Sequence, residues 1–154
     1  MNKKCVLVTG SSRGLGASII RKYASMGYNT VITYYSHKDE AIELQKEIND
    51  KYNTESLVIK CDISKEEDIE NLKQEIINKF NKLDVLVNNA SIAIDTTFSD
   101  KTKENYMKIL EINLVGTFLV SKIMSTIMND NSSIINISST NGIDTYYEYS
   151  LDYD

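Results

Sequence analysis

Two kinds of apolar spacing alternate along the chain. Short runs rich in β-branched residues occupy 5–9, 30–35, 56–61, 83–88 and 133–138. Their near-continuous apolarity is the mark of strands covered on both faces. Between them, over 14–26, 38–51, 65–80 and 102–129, apolar residues recur every three or four positions, the period of a helix. Segment 65–80 places Ile69, Leu72, Ile76 and Phe80 on one face, and Ser64 followed by Glu67 reads as a capping box that opens it. Segment 102–129 carries Tyr106, Ile109, Leu110, Ile112, Val115, Phe118 and Leu119, a density that suits one long helix buried on more than one side. Strands alternating with helices predict βαβ units: an α/β fold, a doubly wound parallel sheet in three α/β/α layers.

Composition narrows the picture. A chain of 154 residues is expected to form one domain over 1–154, and 42% hydrophobic with 25% charged residues is ordinary for a globular protein. A net charge of −5 argues against a nucleic-acid partner. No apolar run approaches the ~18 residues of a membrane span, and "MNKKCVLVTG" lacks the apolar length and cleavage site of a signal peptide. The expectation is a cytoplasmic protein with no membrane partner. Cys5 and Cys61 have no metal-ligand spacing and are expected buried and reduced; with His37 the single histidine, no metal site is expected. The last stretch, 140–154, is polar, acidic and tyrosine-rich, with no clear period.

Chemistry concentrates at "VLVTGSSRGLGASII", residues 6–20. A strand ends at Gly10, and Gly14 and Gly16 open a helix. A turn this tight needs residues without a Cβ. A diphosphate needs bare backbone N–H groups at the positive end of a helix. The T-G-x-x-x-G-x-G pattern meets both needs, after the first strand of a βαβ unit, where such a loop is informative. Ser12, Arg13 and Leu15 belong to the same corner.

This spacing differs from the G-x-G-x-x-G of other dinucleotide folds. It resembles the short-chain dehydrogenase/reductase family, in its 3-oxoacyl-carrier-protein-reductase-like branch, and the resemblance runs the length of the chain. It implies a Rossmann-like fold and a nicotinamide cofactor. At the end of the second strand, "ITYYSHKDE" puts Ser36 and His37 where other members hold the adenine ribose, and the first acid is Asp39, expected inside the next helix. Missing repulsion there, with Arg13 nearby, favours NADP over NAD; a solvated loop charge at Arg13 and a plain helix start at His37 and Lys38 are the competing readings. "KCDIS" resembles the adenine motif, with Asp62 and Ile63 at the ring, or else Asp62 serves only the local helix start. "LVNNASI" resembles N-N-A-G, which implies that Asn89 and Ala90 line the ribose and Asn88 braces the sheet. Ser91 stands where glycine is usual.

The same resemblance assigns the chemistry. Asn113 in "LEINLVGTF", Ser139 in "SIINISST" and Tyr153 match the family's catalytic residues, with the tyrosine as proton donor to a carbonyl or acyl thioester substrate. Asn113 could instead be a buried amide satisfied at a helix kink. The lysine of the family's Y-x-x-x-K would fall at position 157, beyond Asp154. The chain is therefore expected to be the N-terminal part of a longer enzyme, incomplete at the C-terminus, and the resemblance implies that its full-length relatives are homo-oligomers, as tetramers. Taken literally it is expected to bind dinucleotide weakly and turn over little. The alternatives are a non-catalytic dinucleotide-binding module and an inactive fragment.

Overall fold

The computed structural model describes residues 3–94 and 96–139. Its elements run β1 (Cys5–Val8), α1 (Gly14–Ser25), β2 (Asn29–Tyr34), α2 (Lys38–Lys51), β3 (Ser56–Lys60), α3 (Glu66–Phe80) and β4 (Leu83–Asn88). After a 3₁₀ turn, Phe98–Asp100, come α4 (Lys103–Ile109), a π-helical segment (Leu110–Gly116), α5 (Thr117–Ser125) and β5 (Met128–Asn136). The five strands are parallel, in the order β3-β2-β1-β4-β5.

Alternation along β1 sorts its side chains between two cores. Cys5 and Leu7 join Val31, Ile59 and Leu86 against Ile69, Leu72 and Ile76 of α3 and Val120, Ile123 and Met124 of α5. Val6 and Val8 join Ile32, Val85 and Val87 against Ala17, Ile20 and Ala24 of α1 and Ala41, Leu44 and Ile48 of α2. These are the three expected layers. Each fully covered Ile or Leu contributes about 1.5–3 kcal/mol by leaving water.

Three readings need correction. Ser64 does not cap α3: the N-cap is Lys65, and the Ser64 hydroxyl donates instead to Asp62 Oδ1 at 2.7 Å. A carboxylate two residues away outcompetes the helix amides for that hydroxyl. Next, 102–129 is not one helix. It is divided by the π-helical segment, and the chain has turned into β5 by Met128. Nor is it buried on several sides, because Leu114, Val115 and Phe118 are 64%, 44% and 60% exposed. Finally, β5 starts five residues early, though its ladder with β4 is interrupted between Leu83 and Val85 and runs regularly only from Ser133. Asn131, at φ +70°, lies in the irregular stretch. Among the described strands β5 pairs with β4 alone, and Ile134, Ile135 and Ile137 are exposed.

Candidate functional site

The order of the strands reverses at β1, which lies between β2 and β4. In doubly wound sheets a crevice opens at such a point, beyond the carboxyl ends of the strands. Here a cleft of about 580 Å³ is lined from the ends of β1 (Gly10, Ser12, Arg13, Gly14), β2 (Tyr34, Tyr35, Ser36, His37), β3 (Cys61, Asp62, Ile63, Ser64) and β4 (Asn89, Ala90, Ser91, Ile92). Lys108 of α4 and Glu111 and Ile112 of the π-helical segment line it as well.

The glycines at its base serve different ends. Gly10 has φ +61°, and a Cβ there would also meet Ala90 at 3.0 Å. Gly14 has φ +58° with open space around it, so its backbone faces whatever fills the cleft. Gly16 is required for room: a Cβ would lie 2.7 Å from Asn89 Nδ2 and 2.8 Å from Gly10 O.

Cross-strand hydrogen bonds hold this corner. Gly10 N–H donates to Thr33 Oγ1 at 3.0 Å, Thr33 N–H to Ser11 Oγ at 3.1 Å and Ser11 N–H to Thr33 O at 2.9 Å. From the other side, the Asn89 and Ala90 amides both donate to Thr9 Oγ1 at 3.0 Å, and Asn89 Nδ2 donates to Thr9 O at 2.9 Å and Gly10 O at 3.2 Å. Thr9, Ser11 and Thr33 carry the corner's geometry, although sequence reading gave none of them a role. Only pairing across three strands shows it.

Arg13 is the N-cap residue of α1 and exposed; among the described residues its guanidinium has no ion-pair partner. Asp62 is engaged locally: its Oδ1 accepts from Ser64 N–H and Oγ, while its own N–H donates to Asp68 Oδ2 at 2.9 Å. It and Ile63 nonetheless line the cleft. Cys61, also at the wall, is held up at about 12 by burial, with Asp68 and Asp62 adding to the effect. Both cysteines are buried and free.

Other expected site residues fall outside the cleft wall. Leu15 is 57% exposed on α1, and Gly16 lies beneath the corner. Asn113 sits in the π-helical segment, where its Oδ1 accepts from Ile92 N–H and its Nδ2 donates to Ile92 O, both at 2.9 Å. The amide is thus satisfied at a helix distortion, and it pins a residue that lines the cleft. π-Turns commonly sit at functional places. Asn88 braces the sheet as expected, its Nδ2 donating to Ser121 Oγ and Asn136 Oδ1 at 2.8 Å. Ser139 follows β5 and is not part of the cleft wall, and Tyr153 lies outside the described residues. Sequence reading missed Tyr35, Lys108 and Glu111. Tyr35 is 65% exposed, with Lys60 Nζ 5.9 Å from its ring centre.

Among the described residues no helix is long and apolar enough to cross a membrane. Among known proteins, the chain is 35% identical over 144 residues to a 3-oxoacyl-[acyl-carrier-protein] reductase, FabG, of Staphylococcus epidermidis, covering 92% of this chain and 58% of that one. A short-chain dehydrogenase/reductase of Serratia marcescens superposes with a TM-score of 0.92 at 28% identity, over 97% of this chain and 61% of the other. A blue fluorescent protein from a metagenomic library, solved with NADPH, superposes with a TM-score of 0.91 at 30% identity, over 99% and 62%. The chain thus spans less than two thirds of the length of each of these relatives. The profile of the short chain dehydrogenases matches residues 4–151, and the protein belongs to that family.

Proposed function

We propose that the cleft binds NADP in preference to NAD, and that the whole protein transfers a hydride between this cofactor and a carbonyl or hydroxyl substrate, a 3-oxoacyl thioester or a relative. One observation carries the cofactor reading: the end of β2 offers Ser36 and His37 rather than a carboxylate, Arg13 lines the same cleft with no ion-pair partner among the described residues, and the acids of the wall among those residues are Asp62 and Glu111. An acid at this place would hold a ribose hydroxyl and repel a phosphate; a guanidinium fork suits a phosphate. The fit to a dinucleotide rests on the corner itself. Gly14 leaves open space where a side chain would stand, and a Cβ at Gly10 would crowd Ala90.

In this reading Gly10, Ser12, Arg13, Gly14, Leu15 and Gly16 form the phosphate corner. Asp62 and Ile63 border the adenine, and Asn89, Ala90 and Ser91 border the nicotinamide ribose. When bound, the nicotinamide ring supplies the hydride. Ser139 holds the substrate oxygen and Tyr153 donates the proton it gains, roles that rest on the family resemblance; Asn113 acts by fixing Ile92. The exposed apolar residues of α5 and the π-helical segment support a homo-oligomer, and we place the protein in the cytoplasm.

A second reading is a dinucleotide-binding module without turnover. It is favoured by Asn113 being engaged with backbone and by Ser139 lying off the cleft wall. Calorimetric titration with NADP⁺ and NAD⁺ tests the cofactor reading. Arg13→Ala is expected to weaken NADP⁺ about ten-fold and NAD⁺ less than two-fold, and equal weakening removes the preference. In a chain carrying the Y-x-x-x-K lysine, NADPH oxidation by a 3-oxoacyl thioester that disappears in Tyr153→Phe supports catalysis. No turnover there favours the module.

A further inference from the structure

We infer that Ser36 and His37 form a proton-operated selector, which admits the 2′-phosphorylated dinucleotide strongly only when the imidazole is charged. The inference rests on the cofactor reading above and concerns how that preference is set.

Ser36 Oγ and His37 Nδ1 lie 3.0 Å apart, and both residues line the cleft with Arg13. His37 is the N-cap residue of α2, yet its side chain makes no capping bond. Among the described residues its ring hydrogen-bonds to Ser36 alone. The imidazole is therefore spent neither on the helix nor on an ion pair.

Proton bookkeeping at this pair has three states. In one neutral tautomer Nδ1 accepts the Ser36 O–H, leaving Nε2–H as the outward donor and using up the hydroxyl proton. In the other, Nδ1–H donates to Ser36 and frees the hydroxyl, but Nε2 then turns a lone pair outward. Only the imidazolium gives both: Nδ1–H donates to Ser36 Oγ, the Ser36 O–H is released as a donor, and Nε2–H remains a donor carrying charge. One proton thus supplies a donor and a positive charge together. Imidazoles change charge between about pH 5 and 8.

The surrounding charges leave the decision to this ring. Arg13 and Lys108 line the same cleft, Lys38 follows on α2, and Lys60 ends β3. Asp39 and Glu40 occupy the first turn of α2, and Asp62 and Glu111 lie in the cleft wall. Four cations and four carboxylates thus line the cleft or flank it along the chain. The remaining titratable neighbours are the phenols of Tyr34 and Tyr35 and the Cys61 thiol. A neutral His37 leaves this balance at zero, and a charged one turns it positive.

The test is calorimetric titration of the whole chain with NADP⁺ and NAD⁺ from pH 6.0 to 8.5, for the wild type, His37→Gln and Ser36→Ala, with folding checked by circular dichroism. A phosphate monoester takes up its own second proton near pH 6, which is why the variants are needed. NADP⁺ is expected to bind about ten-fold tighter at the acid end, the size of one charge-assisted hydrogen bond, with NAD⁺ changing less than two-fold. His37→Gln should flatten the NADP⁺ profile, and Ser36→Ala should reduce its span. A flat wild-type profile, or a slope that survives in His37→Gln, overturns the selector while leaving the cofactor reading intact. NAD⁺ binding without NADP⁺ at any pH, or no binding of either, overturns the cofactor reading and the selector with it.

Discussion

Gly16→Ala probes the densest point of the proposed site. The new methyl group would sit 2.7 Å from Asn89 Nδ2, 2.8 Å from Gly10 O and 2.8 Å from Ser11 Cα. Ordinary contact begins at 3.4 Å, so the Asn89 neighbour alone must retreat by 0.7 Å. None of the three yields cheaply. Two are backbone atoms, and Asn89 Nδ2 is tied to Thr9 O and Gly10 O. Alanine in place of glycine in a helix gains about 1 kcal/mol. Overpacking costs about 1–3 kcal/mol, and each hydrogen bond strained away from Asn89 costs about 1 kcal/mol more. The net is a loss of about 2 kcal/mol, which for a chain of this length lowers Tm by about 4–8 °C. Thermal unfolding followed by circular dichroism reads this directly, and NADP⁺ affinity should fall with it. Gly14→Ala is the control: its Cβ meets nothing, so it carries only the cost of a positive φ, about 1 kcal/mol. A Gly16→Ala protein as stable as the wild type, with unchanged affinity, would show that α1 does not approach Asn89 so closely.

Two more perturbations address the walls of the cleft. Asn113→Ala removes both bonds to Ile92, and leaving that N–H and C=O without partners should cost about 1–3 kcal/mol and weaken NADP⁺ binding; unchanged urea midpoint and affinity would count against the bracing role. Burial holds Cys61 up at about 12 against an ordinary 9.0, so the neutral thiol belongs to the folded state. Its contribution is full below pH 9.0 and drains as pH climbs toward 12, because the unfolded chain ionises first. Urea midpoints should therefore fall more steeply above pH 9 in the wild type than in Cys61→Ala; parallel slopes would refute this.

Much of the fold was legible in the pattern of apolar residues. The limits of α2 and β4 agree with the periodicity to the residue, because each has one dominant spacing and a polar residue at or next to each end. The segment 102–129 deceived for an identifiable reason. Apolar spacing reports which side chains share a face, not which carbonyl each amide reaches. The Asn113 side chain bonds to Ile92 within the stretch where the α-helical ladder widens to π, and that bond joins residues 21 positions apart. Ser64 had the right spacing for a cap, but Asp62 is a stronger acceptor close by. In the site, the glycines could be found because their reasons are local. Thr9, Thr33 and Asn89 could not be given their roles, since each acts through a partner 22 to 81 positions away.

The bracing of the glycine corner also bears on how such a site can change. Its amides are anchored in β1, β2 and β4 at once, so they can open only when neighbouring strands part, as in the slowest-exchanging regions of a protein. A ligand arriving there has little left to order. The same rigidity makes the floor hard to retune, because a substitution at one residue disturbs three strands. Tyr35, Ser36, His37 and Lys108 ride on the rim under no such constraint, and new preferences for one coenzyme over another can be acquired there while the floor stays as it is.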